Sequence, residues 1–477
     1  MLTETADRVA RLSLWLRVRE FAVPPSMIEI ATVRRSAGDW AGACAAAGFD
    51  VDLDLRSTAR THGRDLASRV RTDLRSLAPD LLRWHLPRVA PDGLLRPGLT
   101  VALARYDTED GDGLRRVHLV ARTPPVWADG GQRISLALWD GSPHGAGAHP
   151  RPRPSRRFRL DLHRHLWDAR RADELRFRSG ADRPPAPVSA PSPVRSPPPV
   201  RQLEHGNPPL PEVVEQHCAV DRWAAEARIL LRSEGRSAGT VIVRLRARHR
   251  LVLGLDGERD GLGPPALRVV GAPRDGSVCA FPVLPDAATW VLPDLELLRS
   301  GSLDADRLHP LVAAALAPDA RPSGPFRPPD RSARSRVVEC RGARHRLGLV
   351  NGVLTPLDHG AVELRREELL LALTGTPMPC LRAVDEAHRH PERLTDIRER
   401  LNHGDTAGAL AVVEELLGPA ALLRTGALRD ALEAAVQRRI SYGLFRAGLA
   451  EPGPRQLRPG LDRPRDHRSH PRHTTAR

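Results

Sequence analysis

Cys380, His388, His390 and His403 bring one thiol and three imidazoles into a short stretch of the C-terminal third. Those donor types suit zinc, which takes four of them in a tetrahedron. Spacing is the difficulty: His388 and His390 diverge on a regular helix and converge only if Pro391 breaks it. A second group of residues carries positive charge. Residues 151–178 hold ten arginines against four acidic residues, with Phe158, Trp167 and Phe177 interleaved. Guanidinium groups alternating with aromatic rings are the pattern of a nucleic-acid surface, where phosphates meet charge and bases meet rings. Arg151, Arg153, Arg156, Arg157, Arg159 and Trp167 would carry such an interaction. The competing reading is a solvated basic edge that precedes a linker.

Two further runs invite chemistry and fail on spacing. "DVDLDL" (50–55) opens like a calcium loop, but that loop needs glycine at its sixth position and glutamate at its twelfth, where Leu55 and Thr61 stand. "DEAH" (385–388) has the letters of a magnesium-binding helicase motif, which works only beside a phosphate loop and its lysine. The chain has no lysine: all 73 of its Lys+Arg residues are arginine. That absence also excludes ordinary protein-kinase chemistry and pyridoxal Schiff bases. An enzyme of another kind would have to gather groups from afar, with His85, His118, Asp107 and Asp110 as the set to find in one pocket. No cofactor is implied.

The formal charge of +15 suggests an acidic partner. Arginine, alanine, proline and glycine dominate, as GC-rich coding produces, so function and codon usage are both sources of the basicity. With only two tyrosines and seven phenylalanines, stacking platforms are few. Five scattered cysteines, none in a C-x-x-C pair, point to a reducing, cytoplasmic setting. No apolar run approaches the roughly 20 residues of a membrane span, and the start lacks the apolar stretch of a signal peptide. Val9, Leu12, Trp15, Leu16 and Phe21 fall at helical spacing. They read as an added first helix, or as an extension upstream of Met27; the alternative is a helix lying on a membrane surface.

The elements that must position these residues are cut by proline. Proline fixes φ and removes donors, so "RPPAPVSAPSPVRSPPPVRQLEHGNPPLP" supports neither helix nor central strand. The expected division is an N-terminal α+β domain over 1–180, a linker over 181–211 and a middle α+β domain over 212–316. A second linker over 317–335, a C-terminal β-hairpin plus helical domain over 336–450 and a disordered basic tail over 451–477 follow. The fold class is α+β and multi-domain, with small antiparallel sheets, packed helices and a helical C-terminal region. "LTVALARYD" and "LRRVHLVART" pair across "TEDGDG", and "RISLALWDG" adds a third strand. Leu66, Val70, Leu74 and Leu77 share one helix face within residues 61–86.

Two phrases recur. "GDWAGACA" (38–45) and "GDTAGALA" (404–411) agree at six of eight positions. In each, glycine suits the end of one helix and aspartate the N-cap of the next, which makes a tight helical hairpin. The pattern resembles the mid-repeat turn of tetratricopeptide-type repeats, but Arg34 and Arg400 stand where such a repeat places an aromatic. "ARHRLVLGLDG" (247–257) echoes "ARHRLGLVNG" (343–352), as a duplicated β-then-α unit or as chance in an Arg/Leu/Gly-rich chain. The run from "MIEIATVRRSAGDW" (27–40) through "LTVALARYD" (99–107) is similar to uncharacterised proteins of high-GC bacteria encoded near MoxR-type AAA ATPases. That resemblance implies an accessory or client-recognition role with an AAA ATPase as protein partner, and it supplies no catalytic residue. The expected function is therefore non-enzymatic protein–protein interaction. Nucleic-acid binding through 151–178 is one alternative and an enzyme without a recognisable motif is another.

Overall fold

The computed structural model describes residues 2–110, 113–128, 130–142, 149–182, 217–245, 249–256, 267–270, 281–319, 337–340, 343–350, 353–356, 360–374, 392–417 and 426–449. The two proline-rich linkers lie almost wholly outside the described residues, as does the tail but for its approach.

Helices open the chain: α1 (Leu2–Phe21), α2 (Pro25–Ser36), α3 (Trp40–Ala46), then strand β1 (Phe49–Val51), α4 (Leu55–His62), α5 (Arg64–Ser76) and α6 (Pro79–His85). Short strands β2 (Arg88–Val89) and β3 (Leu94–Leu95) lead into β4 (Thr100–Asp110), β5 (Gly113–Arg122) and β6 (Ile134–Trp139). The expected antiparallel meander forms, and β1 adds to its far side, parallel to β6, giving the order β1-β6-β5-β4. Short 3-10 segments over Leu160–Leu162, Arg164–Leu166 and Ala169–Glu174 carry the basic segment into α7 (Leu175–Ser179). Residues 61–86 run through three helices, parted at Gly63 and again at Leu77 and Ala78, which are extended because the residue before Pro79 is kept out of the helical region. Leu66, Val70 and Leu74 share one buried face of α5, and Leu77, its extended C-cap, is buried too.

The second unit holds α8 (Val220–Ser233), the meander β7 (Gly239–Arg244), β8 (Arg250–Leu255) and β9 (Leu267–Val269), and α9 (Asp286–Thr289). Its core gathers Trp223, Leu230, Leu231, Val241, Val243, Leu253 and Leu255. Helices α10 (Pro293–Arg299) and α11 (Pro310–Leu316) follow in sequence, but Leu297, Leu303, Leu308 and Val312 join the first core. Packing there does not follow the division that proline content suggests, because the apolar face of α10 and α11 completes a surface left open by α1 and α6. The meander β10 (Val337–Cys340), β11 (Ala343–Val350) and β12 (Val353–Pro356) precedes α12 (Ala361–Thr374), α13 (Glu392–His403), α14 (Thr406–Leu417) and α15 (Ala427–Arg446). The architecture is thus α+β, with small, mainly antiparallel sheets and a helical C-terminal region. The two "ARHRL" echoes supply β8 and β11, each the middle strand of a three-stranded antiparallel meander.

Helix α1 is an integral part of the first core. Val18, Phe21, Ala22 and Val23 are buried, and Leu12, Trp15 and Leu16 pack against them. Apart from Val9, which is exposed, the apolar face that suggested a membrane-surface helix is spent on this core. Arg19 is buried with it and forms a double hydrogen bond to Asp294 of α10, at 2.8 and 2.7 Å, while Asp294 also accepts from the Trp84 ring nitrogen at 3.0 Å. Among the described residues no helix is long and apolar enough to cross a membrane.

The repeated phrase folds the same way twice. Gly38 and Gly404 end α2 and α13 with φ of 80° and 86°, a left-handed turn that glycine makes without strain. Asp39 accepts from the Gly42 amide at 2.8 Å, and Asp405 from the Gly408 amide at 2.9 Å. A Cβ on Gly42 or Gly408 would collide with that carboxylate, so the phrase needs glycine at its fifth letter. The arginines that break the tetratricopeptide pattern belong to the motif: Arg34 reaches Asp39 at 2.9 Å and Arg400 reaches Asp405 at 3.0 Å. The working unit is R-x-x-x-G-D-x-x-G-A, a cap clamped from the preceding helix. Ala43 and Ala409 are fully buried in the two turns. Asp405→Ala should cost about 0.5–2 kcal/mol through the lost cap, and Ala409→Leu about 1–3 kcal/mol through overpacking. Urea midpoints check both; the Asp39 and Ala43 counterparts should move in the same direction.

Arg83 joins the two hairpins. Its guanidinium donates to the carbonyls of Ala22 (2.9 Å), Gln132 (2.6 Å) and His403 (2.9 Å), with a longer contact to Ala47 at 3.4 Å. Burial pushes its pKa down to about 10, the Arg133 charge adds to this, and the Asp405 carboxylate offsets part of it.

Candidate functional site

The basic segment is turned inward for much of its length. Arg157 forms a double hydrogen bond to Asp286 at 2.8 and 2.5 Å, and Arg159 binds Asp161 at 2.7 Å and Glu234 at 2.9 Å. Arg164 is held by Asp73 and by Asp168, and Arg178 reaches both oxygens of Glu226 at 2.7 Å. Trp167 is fully buried with its ring nitrogen donating to the Leu160 carbonyl at 3.0 Å, and Phe158 is buried too. Trp167 therefore presents no face on which a base could stack, which corrects the role its spacing suggested. Arg151, Arg153 and Arg156 are exposed. Sequence spacing found the charges but not their partners, since Asp286, Glu226 and Glu234 lie in the second unit.

Of the metal candidates, Cys380, His388 and His390 lie outside the described residues, as does the "DEAH" run. His403 is described and buried at the C-terminal end of α13, where its ring stacks on Phe21 with centroids 6.3 Å apart. Among the described residues no group of three or more His, Cys, Asp or Glu side chains is placed to hold a metal. Asp107 and His118 are close enough across β4 and β5 for each to feel the other's charge, but His85 does not join them. Asp107 pairs with Arg105 at 3.0 Å, and His118 sits against Trp139, 5.6 Å between centroids; Asp107 and Asp110 lie in β4 and His118 in β5. His85 ends α6 and lines a separate cleft. The letters G-x-S-x-G do occur at Gly235–Gly239, but in a turn from helix α8 into strand β7. A nucleophile elbow runs the other way, from strand into helix.

The "DVDLDL" run, excluded as a calcium loop, has a different task. Asp50 accepts from Arg133 at 2.9 and 2.6 Å and from the Tyr442 hydroxyl at 2.6 Å. Asp52 holds Arg446, and Asp54 caps α4 by accepting from the Ser57 amide at 2.8 Å. Two of the three aspartates thus anchor α15. Burial works against the Asp50 carboxylate, yet the Arg133 and Tyr442 hydrogen bonds outweigh it and hold its pKa below the usual range. Phe445 completes the anchor, edge-on to Trp127 at 5.2 Å.

With one face of α15 fixed in this way, the other is turned outward and is also apolar. Val436 is 58% exposed, Ile440 50% and Leu444 44%, at i, i+4 and i+8. Helices of globular proteins usually carry one apolar stripe, for the core. A second stripe on a helix already anchored is the feature that periodicity alone could not separate from the first.

The chain matches no family model, no curated protein and no solved structure.

Proposed function

We propose that the protein acts by binding another protein, without chemistry of its own, and that the outer stripe of α15 is the contact surface. The observation that carries this reading is the exposed row Val436, Ile440 and Leu444 on a helix whose opposite face is fixed by Asp50 and Asp52. A rigid apolar ridge of this kind meets a partner without prior ordering cost, the condition under which buried apolar area converts to affinity. The partner we propose is an ATPase of the MoxR type, an expectation that rests on the resemblance noted for residues 27–107. Nucleic-acid binding has less support, because Arg157, Arg159, Arg164 and Arg178 already hold carboxylates and Trp167 is buried.

The test is direct binding of the full chain to a purified MoxR-type ATPase. Ile440→Asp should weaken it more than about tenfold while leaving folding stability within about 0.5 kcal/mol, since the side chain is exposed. Undiminished binding by Ile440→Asp and Val436→Asp would move the surface elsewhere, and no binding by the unmodified chain would remove the ATPase as partner.

A further inference from the structure

A cleft of about 400 Å³ runs along the seam between the two cores, within the size range of small-molecule sites. Its walls come from α1, the end of α6, the 157–166 turns, and α9. Most arginines that line it hold acids: Arg19 has Asp294, Arg157 has Asp286, and Arg178 has Glu226. Two do not. Arg88 donates only to the carbonyls of Arg83 at 2.7 Å and Gly93 at 3.5 Å, and its Nε is buried without a partner. Arg96 lies over the Phe158 ring, 5.8 Å from its centroid, with no carboxylate at ion-pair distance among the described residues. Two imidazoles complete the set. Nε2 of His85 and Nδ1 of His165 are buried without partners, and His165 as a whole is only 3% exposed.

Buried donors and cations without acceptors are costly, and native interiors rarely leave several together. Here three buried nitrogens without partners, Nε of Arg88, Nε2 of His85 and Nδ1 of His165, line one cavity beside Trp15 and Phe158, with the exposed guanidinium of Arg96 at its mouth. We propose that this cleft binds a small phosphorylated organic molecule, with its phosphate taken by Arg88, Arg96, His85 and His165 and its apolar body by Trp15 and Phe158. A phosphate offers three terminal oxygens in a tetrahedral spread, which suits donors arriving from two walls better than the two coplanar oxygens of a carboxylate. Burial lowers the pKa of both histidines and keeps the rings neutral, so each offers one N–H donor through its choice of tautomer.

Phenyl phosphate is the probe, titrated into the full chain at low salt and followed by calorimetry and by tryptophan fluorescence. The expected result is a Kd below about 1 mM, a raised melting temperature in its presence, and weaker binding of benzoate. Arg96→Gln should raise Kd about tenfold or more, Arg96→Lys should recover part of the loss, and Arg151→Gln, exposed and outside the cleft, should change nothing. Absence of both heat and thermal stabilisation up to about 10 mM overturns the proposal without recourse to any variant. Equal losses from Arg96→Gln and Arg151→Gln overturn it as well, because they report a diffuse surface field. Benzoate binding as tightly as phenyl phosphate refutes the phosphate assignment.

Discussion

Acidification from about pH 7 to about pH 5 should remove about 4 kcal/mol of stability through two buried histidines alone. Burial pushes His163 down to about 4 and His403 down to about 3. In the unfolded chain both titrate near 6.5. Between those values the unfolded state binds the extra protons, so stability is fully present above about 6.5 and falls as pH drops. Each residue then contributes about 1.4 kcal/mol per pH unit, or about 2 kcal/mol by pH 5. The surroundings reinforce this for His403, which faces the cations Arg88, Arg83 and Arg17. At His163 the Glu226 carboxylate works the other way, while Arg178 and Arg222 oppose it. His165 shifts in the same direction as both. Against a typical total of about 5–15 kcal/mol, a loss of this size brings unfolding near pH 5. Urea midpoints at three pH values measure it, and His403→Phe should flatten the dependence by about 2 kcal/mol while keeping the stack on Phe21. A midpoint that does not move with pH would mean both rings are protonated within the fold.

Asp294→Ala should cost about 3–5 kcal/mol, because it leaves the Arg19 guanidinium buried without its carboxylate. Both side chains are almost fully excluded from water, 2% and 0% exposed, so solvent cannot replace the lost partner. The double replacement Arg19→Met, Asp294→Leu removes the charge together with its partner, and hydrophobic residues fill comparable volume. Its cost should be smaller than that of Asp294→Ala alone, with a residue of about 1 kcal/mol from the Trp84 ring nitrogen left without an acceptor. The comparison needs only equilibrium unfolding of the unmodified chain, Asp294→Ala and the double variant. If the double variant is the less stable of the two, the ion pair stabilises this fold beyond what its desolvation costs.

What the sequence made legible was local. Caps at Asp39 and Asp405, the hairpin of β4 and β5, and the apolar face of α5 follow from neighbours a few residues apart, where propensity and period act. Residues 50–55 read as a short alternating strand or a surface turn, and the choice fell to β1 through its pairing with β6, a partner more than 80 positions away that no local period reveals. The 3-10 turns over 160–174 escaped for a related reason: Arg159 and Arg170 pair at two positions' distance with Asp161 and Asp168, and Arg164 reaches Asp73, 91 positions away. The same distance hid the anchor of α15, since Tyr442 and Asp50 are 392 residues apart. Charges in this chain could be counted from its letters; their partners could not.

Arg83 also has a consequence in time. Its hydrogen bond to the His403 carbonyl closes a loop of 320 residues, and the acceptor leaves the ribosome long after the donor. At about 5–20 residues per second, the N-terminal helices wait some tens of seconds, from roughly 16 to 64, before that acceptor is made. During that interval a buried-type guanidinium and the face that receives α13 stand open to water and to other nascent chains. The final closure is a late, high-contact-order event, so chains that stop between Leu316 and Glu392 should accumulate as chaperone clients rather than as folded N-terminal units.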